Sequence, residues 1–224
     1  METLRYGAEP SQFAELHGTA PEKGTAILLH GGWWRAKHDL HQLDAMAADL
    51  TDAGWRVVNI EYRRIDGDTG GWPLTFDDVR TAIRTAAPGA PSVAIGHSAG
   101  GQLALLAGKA ESLSGVVALA PITDVPRCAA EELGEGAASL FLRDDDPAAS
   151  PLRQLPVGCP HLVVHGDADV RVPVAHSREY VTAARAAGDE VDYVELPDID
   201  HFRLIDPAGE PWQHARRWLA ARFG

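Results

Sequence analysis

The sequence predicts an α/β fold: a mostly parallel sheet of about eight strands with helices on both faces. Three observations predict it. Short apolar, β-branched runs recur at Thr25–His30, Trp55–Tyr62, Ser92–Ile95, Gly115–Ala120 and His161–His165. Each is too short for a helix and continuous enough for a strand buried on both faces. Stretches of helical apolar spacing, such as Leu40, Leu43, Met46, Ala47 and Leu50, alternate with those runs, and that alternation is the mark of parallel sheets with crossover helices. Finally, 224 residues at 45% hydrophobic content suffice for one α/β domain with a buried core.

Each element has a local reason. Residues 4–18 hold two half-apolar pieces around Gly7 and Pro10-Ser11, an opening pair of edge strands. Thr25–His30 is a buried strand that stops at Gly31-Gly32. A helix is expected over Asp39–Ala53, ended by Gly54. After the strand Trp55–Tyr62 and a Gly- and Asp-rich loop over 64–73, Thr75-x-x-Asp78 resembles a capping box that opens a helix to Ala87. Ser92–Ile95 and Gln102–Ala107 are a strand and a helix joined by a tight turn, and Gly115–Ala120 is the next strand. From Pro121 to Pro160 the pattern loosens. It holds a helical piece near Ala129–Leu142, the acidic run Asp144-Asp145-Asp146, and Pro147, Pro151 and Pro156. This is the one place for a lid-like insertion (121–160), and a short one. His161–His165 resumes the sheet, Val174–Ala187 is helical up to Gly188, and Glu190–Leu196 alternates as an edge strand does. Pro211 opens a last helix through Phe223. With no repeat and no long linker, a single domain over 1–224 is expected.

Composition narrows the function classes. The formal charge of −12 argues against nucleic acid or anionic membrane as a partner. Cys128 and Cys159 are too few for a disulfide framework and are expected as free thiols in a reducing compartment. The N-terminal Met1–Tyr6 lacks the basic and apolar regions of a signal peptide. No apolar run approaches the ~20 residues of a membrane span. A soluble, cytoplasmic protein is expected.

The chemistry centres on Gly96-His97-Ser98-Ala99-Gly100-Gly101, between strand and helix. Gly-x-Ser-x-Gly in that context is a nucleophile elbow, which holds a serine on a strained turn with its hydroxyl exposed. The turn brings two backbones together, so a Cβ at 96 or 100 would collide. An activated serine needs a base, an orienting acid and oxyanion donors, with the acid and base following on loops after later strands. His201, after the last strand, occupies the base position. For the acid, Asp169 and Asp167 both follow the strand His161–His165; the spacing His165-Gly166-x-x-Asp169-x-x-Val172-Pro173 favours Asp169, and Asp124 is a more distant candidate. His97 is expected to point away from the serine hydroxyl, and His165 to pack or hydrogen-bond at its strand end. Oxyanion donors are expected from the main-chain N–H groups of Gly32, Trp33 and Ala99. Trp33, Trp34 and Trp72 are candidates to line the substrate site. His38, His41 and Asp44 share a helical spacing, but no further ligand pattern supports a metal, and a solvated helix face is the better reading.

His30-Gly31-Gly32-Trp33-Trp34 together with Gly96–Gly101 resembles the α/β-hydrolase superfamily, and within it the carboxylesterase branch related to kynurenine formamidase. Tyr6-Gly7, Gln12, Leu16 and Glu61-Tyr62-Arg63 add to the likeness, which covers most of residues 4–205. The sequence departs from that branch where Trp33 stands in place of the usual Tyr, and where Asp198-Ile199-Asp200 precedes His201. The resemblance implies a serine hydrolase of small carboxylic esters working through Ser98, Asp169 and His201 and an acyl-enzyme, without metal or organic cofactor. An aryl formamide is the alternative substrate. A non-catalytic binding protein that keeps the fold is the alternative of another class.

Overall fold

The computed structural model describes the chain except residues 19–22, 67–68, 88–90, 143 and 145. The middle of the acidic run 144–146 and part of the Gly- and Asp-rich loop therefore lie outside the described residues.

Eight strands form one sheet: β1 (Glu2–Arg5), β2 (Phe13–His17), β3 (Thr25–Leu29), β4 (Arg56–Ile60), β5 (Ser92–His97), β6 (Gly115–Leu119), β7 (His161–Gly166) and β8 (Val191–Leu196). Their spatial order is β1-β2-β4-β3-β5-β6-β7-β8. The pairs β1/β2 and β2/β4 are antiparallel and the rest parallel. The opening pair thus supplies one edge strand, β1, while β2 lies between β1 and β4. The helices are α1 (Asp44–Asp52), α2 (Leu74–Ala86), α3 (Ala99–Ala110), α4 (Val125–Ala130), α5 (Ala137–Leu142), α6 (Ala175–Ala186) and α7 (Glu210–Phe223).

The pleat separates two cores. Ile27, Leu29, Val58, Ile60 and Ala94 face one side with Val79 of α2, Leu103 of α3 and Tyr180 of α6. Ala26, Leu28, Val57, Val93 and Ile95 face the other with Met46 and Leu50 of α1 and Trp212 and Leu219 of α7. Both faces of the parallel strands are therefore covered, which explains why those strands are continuous apolar runs.

Three elements differ from expectation. The helix over 39–53 begins with a 3-10 turn, Leu40–Leu43, before α1. The helical piece at 129–142 is two short helices, because Glu132, Gly134, Glu135 and Gly136 all lie at positive φ and break it. Thr75 and Asp78 do not cap α2. Thr75 Oγ1 donates to the Arg63 carbonyl at 2.7 Å, and Asp78 takes Arg63 and Gln12, so both residues tie the preceding loop to the helix.

The turn between β5 and α3 is as tight as its glycines imply. A Cβ on Gly96 would stand 2.1 Å from the Gly100 carbonyl oxygen, and one on Gly100 2.0 Å from that of Leu29. Both obstacles are backbone of central elements and cannot step aside. Gly100→Ala is therefore expected to destabilise the protein by about 3 kcal/mol or to prevent folding. An unchanged thermal or urea midpoint would show that the turn relaxes around the methyl.

Candidate active site

The carboxyl ends of β3, β5, β7 and β8 lie along one edge of the parallel sheet, with β6 between β5 and β7, the region where open parallel sheets bind ligands. Each end delivers one of the sequence-predicted groups. Ser98 follows β5 at φ 56° and ψ −117°, immediately before the first turn of α3. A non-glycine residue there is strained, and such strain persists only where the surroundings enforce it. Here the Ser98 N–H is held by the Leu119 carbonyl at 2.8 Å, and its own carbonyl accepts from Ile122 and Gln102. The Ser98 hydroxyl is buried and has no hydrogen-bond partner.

The loop after β7 brings Asp169, not Asp167, to His201. His201 Nδ1 donates to Asp169 Oδ2 at 2.6 Å. His165 Nε2 reaches the same oxygen at 3.1 Å and the Val172 carbonyl at 3.0 Å, while its Nδ1 takes the Ser177 hydroxyl at 2.7 Å. The other carboxylate oxygen, Oδ1, accepts from the N–H groups of Arg171 and Val172 at 2.7 and 2.9 Å. Burial works to raise this carboxyl's pKa. Hydrogen bonds from His165 and His201 outweigh it and hold the group well below the usual carboxylate range. Asp169 is therefore an ion at neutral pH. It fixes the proton of His201 on Nδ1, which leaves Nε2 able to accept one. Asp167 instead accepts from the Asp198 N–H at 2.7 Å, a tie between two loops, and Asp124 caps α4.

His97 donates from Nε2 to the His201 carbonyl at 3.0 Å, so it positions the backbone of that loop. Burial, with the neighbouring His201, pushes its pKa down to about 3, and the ring is neutral. On the β3 side, Gly32 has φ 104°, and Trp33 and Trp34 follow at 54° and 55°. A Cβ on Gly32 would stand 2.4 Å from the His38 side chain. Behind this loop, Glu61 takes His30 Nε2 at 3.0 Å and the Leu40 N–H at 3.1 Å.

A cavity of about 380 Å³ joins these parts, with Ser98, His97, His201, Gly32 and Trp33 on its wall. Of the three candidate tryptophans only Trp33 lines it. Trp34 is wholly buried, stacks on Phe141 at 4.0 Å and donates to Gln102 Oε1. Trp72 stacks on Phe76 and donates to Asp146. Both are packing residues: the successive positive φ values turn Trp33 and Trp34 to different sides of one loop. Sequence reasoning missed other wall residues, among them Lys37, Arg171, Glu132, Glu135, Val170 and Phe202. Exposed apolar Val170 and Phe202, each next to a predicted active residue, were the available signal.

His38 bonds Gln42 on the cavity wall. Two other groupings lie outside this site. His41 and Asp44 pair with each other at 3.1 Å on the exposed surface beside Glu15. Cys128, His176 and Glu131 line up with separations of 3.9 and 2.8 Å. Cys128 is fully buried, however, and burial pushes its thiol up to about 12, so it is no nucleophile. Cys128 and Cys159 are both free thiols. Among the described residues, no helix is long and apolar enough to cross a membrane.

Comparison with known proteins adds the following. A family model described as the prolyl oligopeptidase family matches residues 90–223, more than half of the chain, and a second, described as BD-FAE, matches residues 17–118. Esterase LipQ of Mycobacterium tuberculosis is 30% identical over 217 residues, covering 81% of this chain and 51% of LipQ. The chain thus spans about half the length of that curated relative. Among solved structures, a truncated carbohydrate esterase from gut microbiota is similar with a TM-score of 0.84 at 18% identity, covering 99% of this chain and 96% of that one. Esterase 2 of Thermogutta terrifontis, in a propionate-bound form, has a TM-score of 0.81 at 20% identity, covering 98% and 93%.

Proposed function

Because the chain belongs to the prolyl oligopeptidase family of α/β-hydrolases, we propose that it is a serine hydrolase of small carboxylic esters, with Ser98 as nucleophile. The observation that carries this reading is that His201, paired with Asp169 at 2.6 Å, lines the same cavity as a strained, unpartnered Ser98 hydroxyl. His201 Nε2 removes the Ser98 proton as Oγ attacks the ester carbonyl. Asp169 stabilises the imidazolium that results. The oxyanion is met by the N–H groups of Ala99, Gly32 and Trp33. The imidazolium then protonates the departing alcohol, and water, activated by the same histidine, releases the acid. In this structure the Ser98 hydroxyl is not yet bonded to the imidazole, a contact that commonly tightens only when substrate binds.

The names of the relatives support esters as substrates: LipQ and the two structural neighbours are called esterases. The likeness of His30–Trp34 and Gly96–Gly101 to the kynurenine formamidase branch supports aryl formamides as the second substrate class. A fluorophosphonate probe is the direct test of the nucleophile. Labelling of the wild type and none of Ser98→Ala supports the enzyme, and absence of labelling in both would leave a binding protein.

Acyl preference follows from cavity size. At about 380 Å³ the cavity sits near the lower end of the ~300–1,000 Å³ of ligand pockets. Trp33 forms part of its wall and is backed by Gly134, where an added Cβ would stand 2.3 Å from the indole. A methylene that finds no apolar wall forfeits about 0.8 kcal/mol of burial. On p-nitrophenyl esters, kcat/KM is therefore expected to fall as the acyl chain lengthens beyond butyrate. A steady climb to decanoate would reveal a long apolar channel and overturn the small-pocket picture.

A further inference from the structure

The cavity differs in charge from the molecule that carries it. The chain has 32 acidic against 20 basic residues, yet three cationic side chains, Arg35, Lys37 and Arg171, line the cavity against two carboxylates, Glu132 and Glu135. Arg35 is committed. It pairs with Asp66 at 3.3 Å and donates to the carbonyls of Gly134 and Glu135, strapping that segment down. Lys37 and Arg171 are not. Both are exposed, and neither forms an ion pair with any described carboxylate, although Glu132 and Glu135 share the same cavity. Two cations without an ion pair on one cavity wall are available to a ligand.

Both share the wall with a histidine. His38 stands on the same wall, its Nδ1 taking the Gln42 amide at 2.8 Å. Burial lowers its pKa first; the charges of Lys37, His30 and Arg171 lower it further, against the opposing Asp39 carboxylate. With Nδ1 accepting, the His38 proton sits on Nε2 as a further donor.

Position relative to the chemistry says which part of an ester they would meet. Arg171 lies two residues beyond Asp169 and donates its own N–H to that carboxylate at 2.7 Å. That is the imidazole side, from which the proton passes to the departing alcohol. Val170 and Phe202, 85% and 55% exposed, stand beside it as apolar surface. Resting on the ester-hydrolase reading above, we propose that Lys37 and Arg171 recognise an anionic group on the alcohol portion of the substrate, whose apolar body lies on Val170 and Phe202. The preferred substrates are then esters of carboxylate-bearing phenols or alcohols.

The test compares 3-acetoxybenzoate with its neutral methyl ester on the wild type and on Lys37→Gln/Arg171→Gln. A hydrogen bond to a charged group contributes enough for roughly a tenfold change in affinity. The double variant is expected to raise KM for 3-acetoxybenzoate about tenfold with kcat nearly unchanged, and to leave kcat/KM for the methyl ester within about twofold. Raising the salt concentration should mimic the variant on the anionic ester alone. Equal effects on both esters, or none on either, would overturn the proposal. Calorimetric binding of the product 3-hydroxybenzoate to Ser98→Ala separates this idea from the hydrolase reading, because it needs no turnover. Binding stronger than that of methyl 3-hydroxybenzoate and lost in the added Lys37→Gln/Arg171→Gln background upholds the anion site even if no ester is cleaved. Equal binding of the two phenols sinks it while catalysis still stands.

Discussion

Ser98→Ala is expected to remove turnover by a factor of about 10⁴ to 10⁶ while leaving the protein at least as stable. Without the hydroxyl no acyl-enzyme forms, and the residual rate comes only from the oxyanion donors and binding. The stability half of the expectation is less usual and comes from this structure. Alanine meets the same backbone demand at φ 56° as serine does, so no new strain arises. What disappears is a buried hydroxyl without a partner, and an unsatisfied buried polar group costs about 1–3 kcal/mol. Thermal unfolding of the variant should therefore begin no lower than that of the wild type. Activity above about one per cent of wild type would mean that another group is the nucleophile.

Asp169→Asn is expected to lower kcat/KM by about 10⁴. All four contacts of this carboxylate are donors: the N–H groups of Arg171 and Val172 on one oxygen, His165 and His201 on the other. An amide has one acceptor and one donating NH₂, so it must confront two of those donors. If the NH₂ meets the histidines, His201 can only keep the bond by moving its proton to Nε2, which can no longer take the proton of Ser98. If it meets the two backbone N–H groups, the loop must shift. Asp167→Asn keeps its one bond to the Asp198 N–H through the amide oxygen, and its effect is expected within about twofold. Steady-state rates on one aryl ester decide between them, and a larger loss at 167 would show the wrong acid was assigned.

What the sequence made legible, and what it hid, divides along a physical line. Strands with a fixed order deliver their carboxyl ends to one place, so the meeting of Ser98, Asp169 and His201 is legible from which loop each occupies. Gly96 and Gly100 were readable because a close approach of two backbones admits no other residue. The direction of a loop side chain carries no such period. Trp33 and Trp34 look equivalent in the sequence, and only their left-handed backbone sends one to the cavity and the other into the core. Thr75 and Asp78 have the spacing of a cap, but the Arg63 guanidinium gives Asp78 a stronger, charge-assisted partner than a helix N–H, and the Arg63 carbonyl takes the Thr75 hydroxyl. Lys37 and Arg171 belong to no motif, and only the folded arrangement reveals that they share one cavity wall.

The placement of Trp34 has a consequence for how this protein can change over generations. Its indole is stacked on Phe141 of α5, its N–H is held by Gln102 of α3, and its main chain leads straight out of the loop that carries Gly32 and Trp33. Gln102 in turn donates to the Ala149 carbonyl, and the Trp72 N–H to that of Phe141. The segment over the sheet is therefore not an exchangeable cassette. A cover grafted from a relative, however well it suits a new substrate, loses the flat partner at 141 and with it the support of the loop expected to meet the oxyanion. Specificity in this scaffold is free to drift one side chain at a time around the rim, at positions such as 37, 170, 171 and 202, while wholesale replacement of the cover requires compensating changes at 34 and 102.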